Sequence, residues 1–241
     1  IPIYHLTDLA HVPWRLQAEL MSLNSGIVST LMSPKDIRNS LQSKRIVGPV
    51  PMAFSKITYK KIKAATKNVV KNIDVSTIGS MYEPRKTFIN ELKSMLLEED
   101  VELQVFGREV GSKRLETKDY WQVLASSKCV VTTGYQMSTN QTDSFSKLPH
   151  LIYRYIECLA AGSILVANEV PSINRLLEPN LDFISFENSK DACKKIIEFL
   201  NNYPESENKY RSKMPSLIEL NLFWLFIDYG LEEESLKCIT H

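Results

Sequence analysis

The stretch Leu148–Asn168 reads LPHLIYRYIECLAAGSILVAN and combines the patterns of a helix, a glycine and a strand. Pro149 suits the first turn of a helix, because the N–H that proline lacks would find no intrahelical partner there. Gly162 tolerates the left-handed conformation that ends a helix, and Ser163–Ala167 is a short apolar run typical of a strand buried on both faces. The stretch therefore predicts a helix over 149–161 and a buried strand, which together form half of a β/α/β unit.

The predicted helix carries one polar stripe. His150, Arg154 and Glu157 fall at positions i, i+4 and i+7 of an otherwise apolar helix. The pair Arg154 and Glu157 has two interpretations. It is either an ion pair on a solvated face, worth a few tenths of a kcal/mol, or the polar edge of a ligand crevice at the carboxyl ends of parallel strands. Spacing alone favours the solvated pair.

Composition excludes several classes of protein. The 29 Lys and Arg nearly balance the 28 Asp and Glu, so the charge does not indicate a nucleic-acid partner. No apolar run is long enough to span a bilayer. The cysteines are far apart and lack metal-binding spacing, which we interpret as reduced thiols of a cytoplasmic protein. They are Cys129, Cys158, Cys193 and Cys238.

The first part of the chain has the pattern β-α-β-α-β. Strands are predicted at 1–7, 26–32 and 45–50, with helices at 13–23 and 34–42 between them. We interpret residues 1–55 as the last β/α units of a Rossmann-like domain. Because the chain opens directly on strand-like Ile1, we expect that part of the protein is missing upstream. The lysine-rich segment 56–72 predicts a solvated linker.

From residue 73 the alternation of strands and helices becomes regular, which predicts a parallel α/β sheet with right-handed crossovers. The predicted strands are 73–78, 101–106, 129–133, 163–167 and 182–186. The predicted helices are 84–97, 118–126, 149–161, 172–177 and 189–201. Glycines follow three of the strands, at Gly79, Gly107 and Gly134, where the chain must turn tightly or approach a ligand.

The turn at Gly79 and Ser80 precedes a helix that opens with Pro84, and it predicts an anion site. Backbone N–H groups and the positive end of the helix dipole attract a phosphate there, and Arg85 or Lys86 adds a full charge. The pattern is neither G-x-G-x-x-G nor G-x-x-x-x-G-K-[ST], so dinucleotide-binding and P-loop proteins are disfavoured.

Several motifs resemble one family when they are taken in order. Residues 154–179, RYIECLAAGSILVANEVPSINRLLEP, resemble the R-x-x-E-x-L-A-x-G signature of glycosyltransferases with the two-domain GT-B fold. GSMYEPR at 79–85 and DYWQVLASSK at 119–128 resemble the spore-maturation-type group of glycosyl transferase family 1. The resemblance covers residues 74–203.

The resemblance implies a domain plan and an activity. Residues 73–203 would be the complete C-terminal donor domain, 1–55 part of the N-terminal acceptor domain, and 204–241 a helical tail that packs back on the N-terminal part. Within that tail 215–229 is apolar, and membrane contact through it is the less favoured interpretation. The implied activity transfers a sugar from a nucleoside-diphosphate sugar to an unidentified glycan, lipid or protein acceptor, without a cofactor.

The resemblance also implies roles for single residues. Glu157 matches the glutamate that binds the ribose hydroxyls of the donor, and Arg85 and Arg154 would stabilise the diphosphate as the catalytic cations. No D-x-D pair occurs, which favours a metal-independent reaction. The predicted donor-binding residues are Gly79, Ser80, Lys128, Gly134, Tyr135, His150 and Glu157.

One position departs from the family pattern. Many retaining members carry an acidic residue where this chain has Pro149, so the polar loop 133–148 would contact the sugar through Asp143 or Lys147 instead. Two alternatives to a glycosyltransferase stay open at this point: a non-catalytic nucleotide-sugar-binding or scaffolding domain and, less favoured, a nucleotide-sugar epimerase.

Overall fold

Within the described residues the chain forms two parallel sheets, of which the first has three strands. The computed structural model describes residues 3–6, 27–30, 46–47, 56–81, 83–108, 115–134, 152–170 and 177–211. Strands β1 (Ile3–Leu6), β2 (Ile27–Thr30) and β3 (Ile46–Val47) lie in that order and are parallel. They confirm the three predicted strands of this part, whereas the helices predicted at 13–23 and 34–42 lie outside the described residues.

The second sheet has five parallel strands, as predicted. Its order is β5-β4-β6-β7-β8, so the chain moves outward from β4 to β5 and then returns to the other side of β4. This confirms the predicted α/β fold class. The strands are β4 (Ile73–Ser80), β5 (Leu103–Arg108), β6 (Ser127–Thr132), β7 (Ile164–Ala167) and β8 (Ile184–Ser185).

Helices cover both faces of this sheet. Helices α2 and α5 pack together on one face, and α3 and α4 pack together on the other, where α1 contacts both of them. The described helices are α1 (Lys56–Ala65), α2 (Arg85–Glu98), α3 (Thr117–Ser126), α4 (Tyr153–Ala161), α5 (Ser189–Asn201) and α6 (Glu205–Arg211).

Successive residues of the central strands contribute to two different cores. Val130 of β6 and Leu165 of β7 pack in the cluster formed with α3 and α4. Their neighbours Val131 and Val166 pack in the cluster formed with α2 and α5. Because strand side chains alternate between faces and both faces are covered, these strands are continuous apolar runs in the sequence.

Helix α4 begins later than predicted. Ile152 is extended (φ −113°, ψ 157°), so the helix starts at Tyr153 and not at Pro149. A β-branched side chain such as Ile152 fits an extended backbone better than the first turn of a helix. The predicted end is confirmed, since Gly162 adopts the left-handed conformation (φ 82°, ψ 28°) and its N–H donates to the Leu159 carbonyl.

The lysine-rich segment 56–72 is less solvated than predicted. Ile62 of α1 is only 2% exposed, and the Lys71 ammonium donates to the carbonyl oxygens of Ser127 and Gly162 at 2.7 and 2.8 Å. The amphipathic pattern of α1 explains the difference, because a helix with one apolar face packs that face on its neighbours. The segment's role as a boundary between domains stays a prediction.

Two further findings concern the remaining predictions. Of the predicted C-terminal tail, only the part that includes α6 lies within the described range, and 215–229 lies beyond it. In the part of the chain that the structure covers, every helix is too short or too polar to cross a membrane.

Candidate functional site

The candidate site lies where β4 and β6 are neighbours. Helix α2, which follows β4, packs on one face of the sheet, and α4, the next described helix after β6, packs on the opposite face. Connections that diverge in this way leave a crevice at the carboxyl ends of the two strands, which is where open α/β sheets bind ligands.

Two guanidinium groups meet at Gly79, close to the end of β4. The backbone there has φ +135°, a value that side chains rarely tolerate. A Cβ built on Gly79 would lie 3.4 Å from Nη1 of Arg85 and 3.5 Å from Nη1 of Arg154. Because Arg85 comes from α2 and Arg154 from α4, cations from both faces of the sheet reach this end of β4.

Arg85 bridges the two strands. Its side chain is buried, with 7% exposed. Nε and Nη2 donate to the hydroxyl and the carbonyl oxygen of Thr133 at 3.2 and 3.1 Å, and Nη1 donates to the Ser80 carbonyl at 3.3 Å. Arg85 therefore ties the chain after β6 to the end of β4, and Ser80 contributes through its backbone.

Arg154 connects Glu157 with the end of β4. Its Nη1 donates to the carbonyl oxygen of Ile78, and its Nε lies 3.3 Å from Oε2 of Glu157. The two side chains are 17% and 18% exposed. The interpretation as a solvated surface pair is therefore wrong. The guanidinium group of Arg154 links Glu157 to the surroundings of Gly79.

Tyr120 on α3 completes this cluster. Its hydroxyl donates to Oε2 of Glu157, and the guanidinium carbon of Arg154 lies 5.0 Å from the centre of its ring. Burial raises the pKa of the Tyr120 phenol above its ordinary value; Arg154 lowers this pKa and Glu157 raises it. The sequence interpretation missed Tyr120, although it lies in the aromatic motif at 119–128.

A second network holds the turn after β6. The Gly134 N–H donates to Oδ1 of Asn168 at 2.8 Å, and the Tyr155 hydroxyl lies 2.9 Å from the carbonyl oxygen of Asn168. Asn168 is 7% exposed. It directly follows β7, just as Gly134 follows β6, so its position after a predicted strand was the signal that could have identified it.

The structure does not bring Lys128 to this site. Lys128 lies at the start of β6, forms a 2.5 Å ion pair with Asp74 and stacks on the Tyr203 ring at 4.9 Å. Asp74 precedes Gly79 by five residues of one strand, or roughly 16 Å. Lys128 therefore belongs to the opposite edge of the sheet, and its prediction as a donor-binding residue is corrected. Spacing alone could not show at which end of β6 it lies.

Other predicted residues cannot be placed in this geometry. Tyr135, Asp143, Lys147 and His150 lie outside the described residues, so the predicted stripe on α4 comprises only Arg154 and Glu157 there. Across the ranges that the structure describes, no group of three His, Cys, Asp or Glu side chains could hold a metal ion.

A comparison with protein families matches the chain to one of them. The model of the family described as glycosyl transferase-like matches residues 85–214, which is more than half of the chain. The match includes Arg85, Arg154 and Glu157, but the Gly79 turn precedes it. A search of curated protein sequences found no match.

Solved structures resemble the chain over most of its length. HepE from Anabaena, in complex with UDP and glucose, matches with a TM-score of 0.56 and 12% identity over 98% of this chain and 71% of its own. A point mutant of TarM from S. aureus, in a complex that contains UDP, matches with a TM-score of 0.58 and 16% identity over 85% of this chain and 43% of its own. AviGT4, a glycosyltransferase involved in avilamycin A biosynthesis, matches with a TM-score of 0.54 and 10% identity over 85% of this chain and 66% of its own.

Such low identities show the fold alone, which is the predicted GT-B fold. The chain spans less than half the length of TarM.

Proposed function

Because the chain belongs to the glycosyl transferase-like family, we propose that it transfers a sugar from a nucleoside-diphosphate sugar bound at the Gly79 turn. The family membership confirms the predicted enzyme class. One observation carries the finer proposal: Arg85 and Arg154 converge on Gly79 from opposite faces of the sheet, and Glu157 is bonded to one of them. Among the described residues, the site thus offers two cations beside the carboxylate of Glu157.

The diphosphate of the donor is the group that the two arginines suit. Guanidinium groups bind phosphate oxygens through paired N–H donors, and the N-terminus of α2 adds a positive dipole on the same side of the sheet. As the sugar leaves, negative charge grows on the diphosphate, and fixed cations stabilise that charge. We propose that this stabilisation replaces a metal ion.

Glu157 is proposed to bind the ribose hydroxyls. Its Oε2 accepts hydrogen bonds from Arg154 and Tyr120. No hydrogen bond to Oε1 occurs within the residues that the structure covers, and we propose that this oxygen accepts from a hydroxyl of the donor. Glu157 would therefore position the nucleotide and would not transfer a proton.

The solved relatives suggest which donor to try first. HepE has been crystallised with UDP-glucose, and the TarM mutant with UDP. We propose UDP as the first nucleotide to test for this chain. Gly134, Tyr135 and His150 stay proposed donor contacts, and the acceptor is proposed to be a glycan, a lipid or a protein.

Calorimetric titration with UDP, GDP, ADP and TDP tests the donor site. We expect one nucleotide to bind the wild type, Glu157→Ala to weaken that binding at least about tenfold, and Lys128→Ala to leave it unchanged. Lys128 is the matched control because its charged group lies at the opposite edge of the sheet. Binding of none of the four nucleotides would count against the proposal.

Release of the nucleoside diphosphate from its sugar tests the reaction. We expect slow hydrolysis by the wild type that Glu157→Ala abolishes, and tight binding without any turnover would favour a non-catalytic binding domain instead. A chelator such as EDTA should leave the rate unchanged. Loss of the rate with EDTA and its recovery with Mg²⁺ would contradict metal independence.

A further inference from the structure

We propose that Tyr120 is a positioning residue that fixes Glu157 for the ribose hydroxyls of the donor. The inference rests on the proposed function and extends it to a residue on a third helix. Tyr120 lies on α3, whereas Arg154 and Glu157 both lie on α4.

One carboxylate oxygen of Glu157 accepts hydrogen bonds from two donors. The Tyr120 hydroxyl and Nε of Arg154 both donate to Oε2 of Glu157. Two donors from different helices restrict rotation of the carboxylate, which leaves Oε1 in one defined direction. A carboxylate held in this way loses less conformational entropy when it binds a ligand.

The aromatic ring of Tyr120 has a different role from its hydroxyl group. The Arg154 guanidinium carbon lies 5.0 Å from the ring centre, which is within the range of a cation–π contact. Arg154 in turn donates to the Ile78 carbonyl beside the Gly79 turn. The ring therefore supports the arginine, while the hydroxyl supports the carboxylate.

The protonation state of Tyr120 agrees with this role. Burial raises the pKa of the phenol; Arg154 lowers it and Glu157 raises it, with a net rise above the ordinary value. The phenol thus stays protonated at neutral pH and donates to the carboxylate, so Glu157 accepts and keeps Oε1 as an acceptor for a hydroxyl.

Substitution of Tyr120 by phenylalanine separates the role of the hydroxyl group from that of the ring. Tyr120→Phe removes the hydroxyl and keeps the ring beneath Arg154. Tyr203→Phe is the matched control, because the Tyr203 hydroxyl also donates to a glutamate, Glu207, at 2.7 Å, and its ring also carries a cation, Lys128, at 4.9 Å. Both variants lose one hydroxyl from a tyrosine–glutamate pair, but only Tyr120 adjoins the proposed site.

The experiment compares two ligands on each protein by calorimetric titration. The ligands are UDP, or whichever nucleoside diphosphate the wild type binds, and its 2′,3′-dideoxy analogue, which lacks both ribose hydroxyls. We expect Tyr120→Phe to weaken UDP binding about five- to tenfold and to change binding of the analogue less than about twofold. Tyr203→Phe should change neither. Since both ligands are measured on the same folded protein, a loss of stability cancels from the ratio of the two affinities.

The outcomes separate this inference from the proposed function. If the wild type binds UDP and Tyr120→Phe keeps the full preference for UDP over the analogue, Tyr120 does not position Glu157 and the proposed function stands. Equal weakening of both ligands would assign Tyr120 a purely structural role and also overturn the inference. If the wild type binds no nucleoside diphosphate, the proposed function fails and the inference fails with it.

Discussion

The two edges of the five-stranded sheet carry nearly the same set of interactions. At the carboxyl edge Arg154 pairs with Glu157, lies over the Tyr120 ring, and shares the carboxylate with the tyrosine hydroxyl. At the amino edge Lys128 pairs with Asp74 and lies over the ring of Tyr203, whose hydroxyl bonds Glu207. Each edge therefore has an ion pair, a cation–π contact and a tyrosine–glutamate hydrogen bond.

The two edges differ in burial and in what surrounds the cation. Arg154 and Glu157 are 17% and 18% exposed, whereas Lys128 and Asp74 are 25% and 50% exposed. Arg154 also donates to a backbone carbonyl at the end of β4, next to Gly79 and the second arginine, Arg85. The amino edge has no corresponding second guanidinium within the described residues.

Residue types alone therefore do not make a ligand site. Diverging connections open a crevice at the carboxyl ends of β4 and β6, and the same divergence brings an arginine from each face of the sheet to the end of β4. We expect substitutions at the carboxyl edge to have larger effects than substitutions at the amino edge.

Removal of the arginine that joins Glu157 to the strand end should have the largest effect. Arg154→Ala is expected to lower the rate of sugar transfer or donor hydrolysis by about 100- to 1000-fold, because a fixed donor to developing charge is lost. Lys128→Ala should lower it less than about twofold. The rates are measured at saturating donor, and equal losses in the two variants would remove the distinction between the edges.

The buried arginine at the switch point should matter most for stability. Arg85→Met is expected to lower the free energy of unfolding by about 2 to 3 kcal/mol, because the buried hydroxyl and carbonyl oxygens of Thr133 lose their charged donor. Urea denaturation measures the change. The matched control is the exposed neighbour Lys86, whose substitution Lys86→Met should change stability by at most about 0.5 kcal/mol. A loss below that value in Arg85→Met would mean that Arg85 does not hold the strand ends together.

Substitution of the glycine near the end of β4 should have a smaller cost in stability. Gly79→Ala is expected to destabilise the protein by about 1 to 2 kcal/mol through backbone strain, since φ is +135°. A new Cβ would lie at ordinary contact distance from Arg85 and Arg154, so a steric clash is not the cause. Gly162→Ala, with φ 82° in the left-handed helical region, should cost about 1 kcal/mol. Thermal unfolding compares the two, and a cheaper Gly79→Ala would contradict the argument from strain.

The ion pair at the amino edge should contribute least. Asp74 and Lys128 form an exposed pair, for which a double-mutant cycle with Asp74→Asn and Lys128→Met should give a coupling energy below about 1 kcal/mol. Added salt should reduce the coupling further, because screening weakens exposed pairs. A coupling well above that value would mean that the amino edge holds the fold as strongly as the carboxyl edge.

The sequence predicted the helices and strands better than it predicted the contacts between their side chains. Apolar runs such as Ile164–Ala167 belong to strands because both faces of the sheet are covered, and Gly162 ends α4 as a residue that tolerates positive φ. The start of α4 was predicted wrongly, because the proline pattern pointed to 149 while Ile152 is extended. Local sequence patterns were thus sufficient to predict features that depend on neighbouring residues, such as a buried strand or the end of a helix.

The residues of the candidate site were predicted in part. Arg85, Arg154, Gly79 and Glu157 were identified from motifs, and the structure brings them together. Lys128 was placed at the wrong end of its strand. Tyr120, Thr133 and Asn168 were missed as contributors, because each is joined to the site by a hydrogen bond to a residue at least 34 positions away.

The sequence by itself determined the five parallel strands of the second sheet, the family resemblance and the glycine that ends α4. Only the tertiary structure decided which sheet edge each charged residue occupies and which tyrosine supports Glu157. The physical reason is that helix and strand periods are local properties of the chain, whereas strand order and crossover direction decide which distant side chains meet.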